Sequence, residues 1–138
     1  MRKINQIIVH CTATPEGRAV TVGDITRWHQ QQGWSTIGYH WVVGLNGEIW
    51  PGRPENVIGS HAKGSNANSI GVVYAGGLDR LGKEPKDTRT PAQKEALLTL
   101  LRQLKTRYPG AQIIGHRDVP GTRKACPSFD AKAEYARL

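Results

Sequence analysis

Short apolar runs separated by polar, glycine-rich segments dominate the chain, and two longer stretches carry a helical period. Ile4 to His10 holds an apolar run of strand length, suited to the interior of a sheet. Thr12 to Val20 reads as a loop marked by Pro15 and Gly17. Thr21, with Asp24 three residues later, resembles a capping box and predicts a helix that turns Ile25 and Trp28 inward and ends before Gly33. Tyr39 to Leu45 is a second strand, and Asn46-Gly47 is a strong turn signal leading into Glu48-Ile49-Trp50. Gly52 to Asn68 is irregular; a loop of that length inside a domain is commonly functional or mobile. Ile70 to Ala75 is a further buried strand, followed by a polar loop from Gly76 to Arg89. Thr90-Pro91-Ala92-Gln93 supplies a cap, a proline at the first helical position and a capping glutamine. The stripe Leu97, Leu100, Leu101, Leu104 carries that helix toward Tyr108, where Pro109-Gly110 stops it. Gln112 to His116 is the last strand, and Asp130 caps a short terminal helix. The order predicts an α/β fold: a single domain over residues 1–138, with a central mixed, mostly parallel β-sheet flanked by helices.

Composition narrows the class. A length of 138 residues suffices for one domain with a core that needs no staples, and 38% hydrophobic with 22% charged residues is ordinary for a globular chain. No apolar run is long enough to span a bilayer. Arg2 and Lys3 precede an apolar stretch too short for a signal peptide and interrupted by Asn5 and Gln6, so synthesis in the cytoplasm without a signal peptide is expected. In a reducing compartment two cysteines suit a metal, a nucleophile or the core better than a disulfide. The excess of 19 Lys+Arg over 11 Asp+Glu, a net charge of +8, points to an acidic partner such as nucleic acid or bacterial wall polymer. Because the basic residues are scattered without interleaved aromatics, nucleic acid is not expected as the partner.

Candidate chemistry sits at strand ends. His10 and His116 each close an apolar run, and ligands gather beyond the carboxyl ends of strands in open α/β sheets. Alone, each is more often a hydrogen-bonded or surface histidine. With Cys126 they form a His-His-Cys set that suits zinc and leaves a fourth position for water, the layout of a catalytic site. Cys11, pointing opposite to His10, reads as core filling. Tyr39 is either a packed aromatic or a phenol able to exchange a proton. Lys124, two residues before Cys126, is either a solvated lysine or a cation for a developing oxyanion. His61 lies in the long loop, within reach of a cleft. His29 reads as polar surface, and His40 as a hydrogen-bonded sheet residue.

The segments His10-Cys11-Thr12-Ala13-Thr14, Trp28-His29 with Gly33-Trp34, Gly38-Tyr39-His40, Gly59-Ser60-His61-Ala62-Lys63-Gly64-Ser65-Asn66, Asn68-Ser69-Ile70-Gly71-Val72, Thr90-Pro91-Ala92-Gln93 and Lys124-Ala125-Cys126-Pro127-Ser128-Phe129-Asp130 span nearly the whole chain in order. On them the chain resembles the type-2 zinc N-acetylmuramoyl-L-alanine amidases, whose fold is shared with the peptidoglycan recognition proteins, and especially the phage lysozymes that are amidases. The resemblance implies one zinc ion on His10, His116 and Cys126, an active-site tyrosine at Tyr39, an active-site lysine at Lys124, and His61 in a substrate-binding, cleft-bordering loop. It implies hydrolysis of the bond between N-acetylmuramic acid and L-alanine in peptidoglycan by a monomeric phage endolysin. It also brings in phage RNA polymerase as a second partner. The alternatives are a non-catalytic peptidoglycan-binding module, a cytosolic wall-recycling amidase, a delivered toxin, and a hydrolase using Cys126 as nucleophile. The His116-Arg117-Asp118 form and the stretch to Lys124 differ from the phage members and leave the local loop shape open.

Overall fold

The computed structural model describes residues 2–122 and 125–138. Its elements are β1 (Gln6–Cys11), β2 (Thr14–Pro15), α1 (Val22–Gln31), β3 (Trp41–Val43), β4 (Ile49–Pro51), β5 (Ser69–Tyr74), β6 (Gly77–Leu78), α2 (Pro91–Arg107), β7 (Gln112–Gly115) and α3 (Ala131–Glu134). Five strands form one sheet in the order β4-β3-β5-β1-β7, while β2 and β6 make a separate two-stranded ribbon. Among the described residues only the β3–β4 hairpin is antiparallel in the larger sheet; β1 lies parallel between β5 and β7, and β3 runs parallel to β5. The predicted mixed, mostly parallel sheet is therefore present.

Local chemistry explains the element ends. Thr21 and Asp24 exchange backbone and side-chain hydrogen bonds at the start of α1, and Thr90 and Gln93 do the same at α2. Gln93 also donates through Nε2 to Ala75 O at 2.9 Å, which fixes the start of α2 to the exit of β5. Gly47 has φ +86°, the left-handed conformation that the hairpin turn demands. Asp130 caps α3 by accepting from Ala133 N.

Side chains alternate across the strands, so the sheet has two distinct faces. One carries Ile7, Val9, Ile70, Val72 and Ile113 against the leucine stripe of α2 and against Phe129, Ala131 and Tyr135. Cys11 belongs to this face, as its alternation with His10 requires. The other face is covered in two parts. Val42, Val73 and Ala75 pack with Ile25 of α1, whereas Ile8 and Ile114 pack with Ala62 and Val119. Between these patches lie the side chains of the candidate site. Arg89 closes the α2 side, pairing with Asp87 and Glu134 and stacking 3.4 Å over the Phe129 ring.

Two expectations need correction. The inner face of α1 is Ile25 and His29, with Trp28 only half-buried; His29 is buried rather than surface. The segment after β5 is not all loop: Gly77–Leu78 pairs in parallel with Thr14–Pro15, a ribbon too short to leave a periodic signal.

Leu101→Ala should lower the unfolding free energy by about 2–5 kcal/mol, because its side chain is fully buried against the sheet. Leu81→Ala, at a side chain 78% exposed, should stay within about 0.5 kcal/mol. Urea denaturation of both variants checks the assignment, and equal losses would contradict it.

Candidate metal centre and cleft

His10 is the penultimate residue of β1 and shares a face with Ile8, while His116 follows directly on β7. Their rings meet with centroids 4.5 Å apart. The third group arrives from the C-terminal loop. Cys126 Sγ accepts a hydrogen bond from Cys11 N at 3.1 Å, and Cys126 O accepts one from Arg117 N at 2.7 Å. Two further bonds pin this loop: Tyr74 Oη donates to Pro127 O at 2.6 Å, and Ser128 Oγ donates to Gly77 O at 2.8 Å. Gly115 leaves room for the Pro127 ring, which a Cβ would meet at 2.7 Å. As a result, one donor atom each from His10, His116 and Cys126 lies within 4.8 Å of the others. The edges of a tetrahedral zinc shell are roughly 3–4 Å, so small side-chain rotations bring the three to ligand spacing.

These residues form the floor of a cleft of about 290 Å³ whose walls include Trp28, Trp34, Tyr39 and Ser60. A wider recess of about 790 Å³ continues from it past Trp34 and His61 to Lys63, Asn66 and Thr122. The Tyr39 ring lies 5.0 Å from that of His10. Its backbone position follows from Gly38, whose N donates to His29 Nδ1 at 2.8 Å and where a side chain would collide with the Ser60 backbone. His29 thereby becomes a support for Tyr39, a role that its polar helical context did not reveal. Burial, with smaller contributions from the neighbouring cysteines Cys126 and Cys11, pushes the Tyr39 phenol well above its ordinary pKa, so it stays protonated.

His61 lines both parts of the cleft, as its loop suggested, but its ring nitrogens face protein partners. Nδ1 lies 2.8 Å from His10 Nε2, and Nε2 lies 3.2 Å from Ser69 Oγ. His40 has the structural role expected of it: Nδ1 accepts from Gly71 N, so Nε2 carries the proton given to Val57 O. The loop bearing His61 is irregular yet anchored, since the Arg2 guanidinium donates to carbonyls of Glu55, Asn66, Ala67 and Ser69. Lys124 lies outside the described residues.

Residues 1–129 match the family described as N-acetylmuramoyl-L-alanine amidase. The chain belongs to that family. An endolysin of Klebsiella phage KP32 is 45% identical over 131 residues, which cover 95% of this chain and 85% of the relative. Among solved structures, the N-acetylmuramoyl-L-alanine amidase LysC from Clostridium intestinale URNW superposes with a TM-score of 0.80 at 34% identity, over 96% of this chain and 82% of that one. Wild-type Drosophila PGRP-LB gives a TM-score of 0.80 at 26% identity, over all of this chain and 82% of its own. The fold and family expected from the sequence segments are thus those found.

The amidase keeps three histidines neutral. Burial lowers the pKa of His29 and of His40, and burial with the nearby His40 and His116 lowers His61 to about 3. A depressed folded pKa means that the unfolded chain takes up protons which the folded chain refuses. Stability should therefore be fully present above the unfolded histidine value of about 6.5 and decline as pH falls toward the folded values. Thermal denaturation at pH 7.5, 6.0 and 5.0 should show a falling Tm; a constant Tm would refute neutral burial.

Proposed function

We propose that this phage-type peptidoglycan amidase cleaves the bond between N-acetylmuramic acid and L-alanine at one zinc ion held by His10, His116 and Cys126. The observation that carries this reading is the meeting of two strand-end imidazoles and a loop sulfur on the cleft floor. The donor set fits the ion: thiolate and imidazole both suit zinc, and three protein ligands are the count typical of its catalytic sites. Bound there, zinc supplies Lewis acidity toward the scissile carbonyl and a water acidified to near neutrality.

The chain's own groups do the rest. Tyr39, protonated and beside His10, donates a hydrogen bond to the reacting oxygen or leaving nitrogen. Lys124 is assigned the developing oxyanion on its spacing from Cys126. The aromatic wall of Trp28 and Trp34 and the longer recess beyond it accommodate a stem peptide attached to a sugar. The net charge of +8 favours approach to an acidic wall polymer. Among the described residues no helix is long and apolar enough to cross a membrane. Endolysin action on the bacterial wall after synthesis in the host cytoplasm is the biological setting we infer.

Treatment with a chelator should abolish release of stem peptides from purified wall, with added zinc restoring it; full activity in metal-free protein would rule out the mechanism. Mass spectrometry of the digest should find peptides with a free L-alanine amine, whereas no released stem peptide would indicate a binding module. Cys126→Ser should lose bound zinc together with activity. Tyr39→Phe should retain one zinc per chain while kcat drops by about 10²-fold.

A further inference from the structure

The ring of His61 fills a slot that the fold constructs for it. Ser69 and Gly71 lie two apart on β5 and face the same side of the sheet as His10, through the parallel register Ile8↔Gly71 and His10↔Val73. Gly71 has no side chain where the His61 ring lies: a Cβ there would sit 2.7 Å from it. Gly59 covers the ring from its own loop, since a Cβ there would come within 2.8 Å of His61 and 2.9 Å of His40. Asn66 Oδ1 accepts from the backbone N–H groups of both His61 and Ala62 at 2.9 Å, which fixes the loop where the imidazole enters. The ring cannot turn without losing these contacts.

We propose that His61 is a positioning residue: its Nδ1 accepts a hydrogen bond from the Nε2–H of His10 and so holds that ring in the tautomer that presents Nδ1 to the metal. The inference rests on the zinc reading above. The contact between His10 Nε2 and His61 Nδ1 needs one proton between two nitrogens. If His61 donated it, His10 would accept at Nε2, carry its own proton on Nδ1 and be closed to a metal from both sides. If His10 donates, Nδ1 holds the lone pair a metal requires. His61 then carries its proton on Nε2, where Ser69 Oγ is the acceptor. Ligating histidines generally hand their second N–H to an oxygen acceptor that sets ring orientation and basicity. Here an imidazole takes that place, and a buried serine completes the chain.

Zinc affinity and histidine tautomers test the assignment, independently of activity. In metal-free wild-type protein at neutral pH, 15N-histidine NMR should show His10 protonated at Nε2; protonation at Nδ1 would overturn the proposal. Competition with a chromophoric chelator should give His61→Leu a dissociation constant 10–100-fold above wild type. His61→Asn, which keeps an acceptor oxygen near the Nδ1 position, should recover most of that loss, and Ser69→Ala should weaken binding by less than His61→Leu. Wild-type affinity in His61→Leu would overturn the positioning role. Should Cys126→Ser bind zinc as tightly as wild type, the ligand assignment itself fails, a result separate from the outcome for His61. If His61→Leu does not fold, the wild-type tautomer and the Ser69→Ala affinity still decide.

Discussion

Parallel pairing of β1 between β5 and β7 fixes which side chains share a face, and the chemistry of the chain depends on that register. It sets His10 beside His116 at one rim and aligns Gly71 and Ser69 beneath the ring of His61. A slip of one residue in β1 would exchange His10 for Cys11, sending the imidazole into the leucine core and the thiol into the cleft. The hydrophobic packing of Ile7, Val9, Ile70 and Val72 against α2 resists that slip. The core therefore does more than stabilise: it selects the side of the sheet on which a metal can be held.

Much of this architecture was legible because its determinants are local. Both capping boxes, the proline at the start of α2, the Asn46-Gly47 turn and the leucine stripe each act within a few residues, and each marks its element. The β2–β6 ribbon is silent in the sequence because two residues per strand leave no period and because it joins segments more than sixty positions apart. The inner face of α1 departs from the sequence pattern at His29, which is buried. A histidine is polar by composition, and only Gly38, arriving from a later segment, gives its ring nitrogen a buried partner.

The site divides in the same way. His10, His116 and Cys126 could be singled out because a strand end and a zinc-suited residue type are both visible in sequence. The second ring of contacts was not, since Ser69, Gly71 and Asn66 are unremarkable residues whose meaning comes from register and loop path. Their one sequence trace is the alternation Ser69-Ile70-Gly71, with two small residues flanking a large one in an otherwise bulky strand. Likewise, the long segment before β5 carries no periodic pattern, yet Arg2 ties it down from the far end of the chain.

The bond from Arg117 N to Cys126 O joins the turn after His116 directly to the backbone of the cysteine. Together with the hold of Cys11 N on the sulfur, it fixes the turn after His116 and the cysteine to each other and to the end of β1. The number of residues between those two anchors is decoupled from the geometry of the donors. Closing a longer connection costs only a slowly rising loop entropy. The separation of His116 and Cys126 along the chain can thus change through insertion or deletion while their separation in space is held.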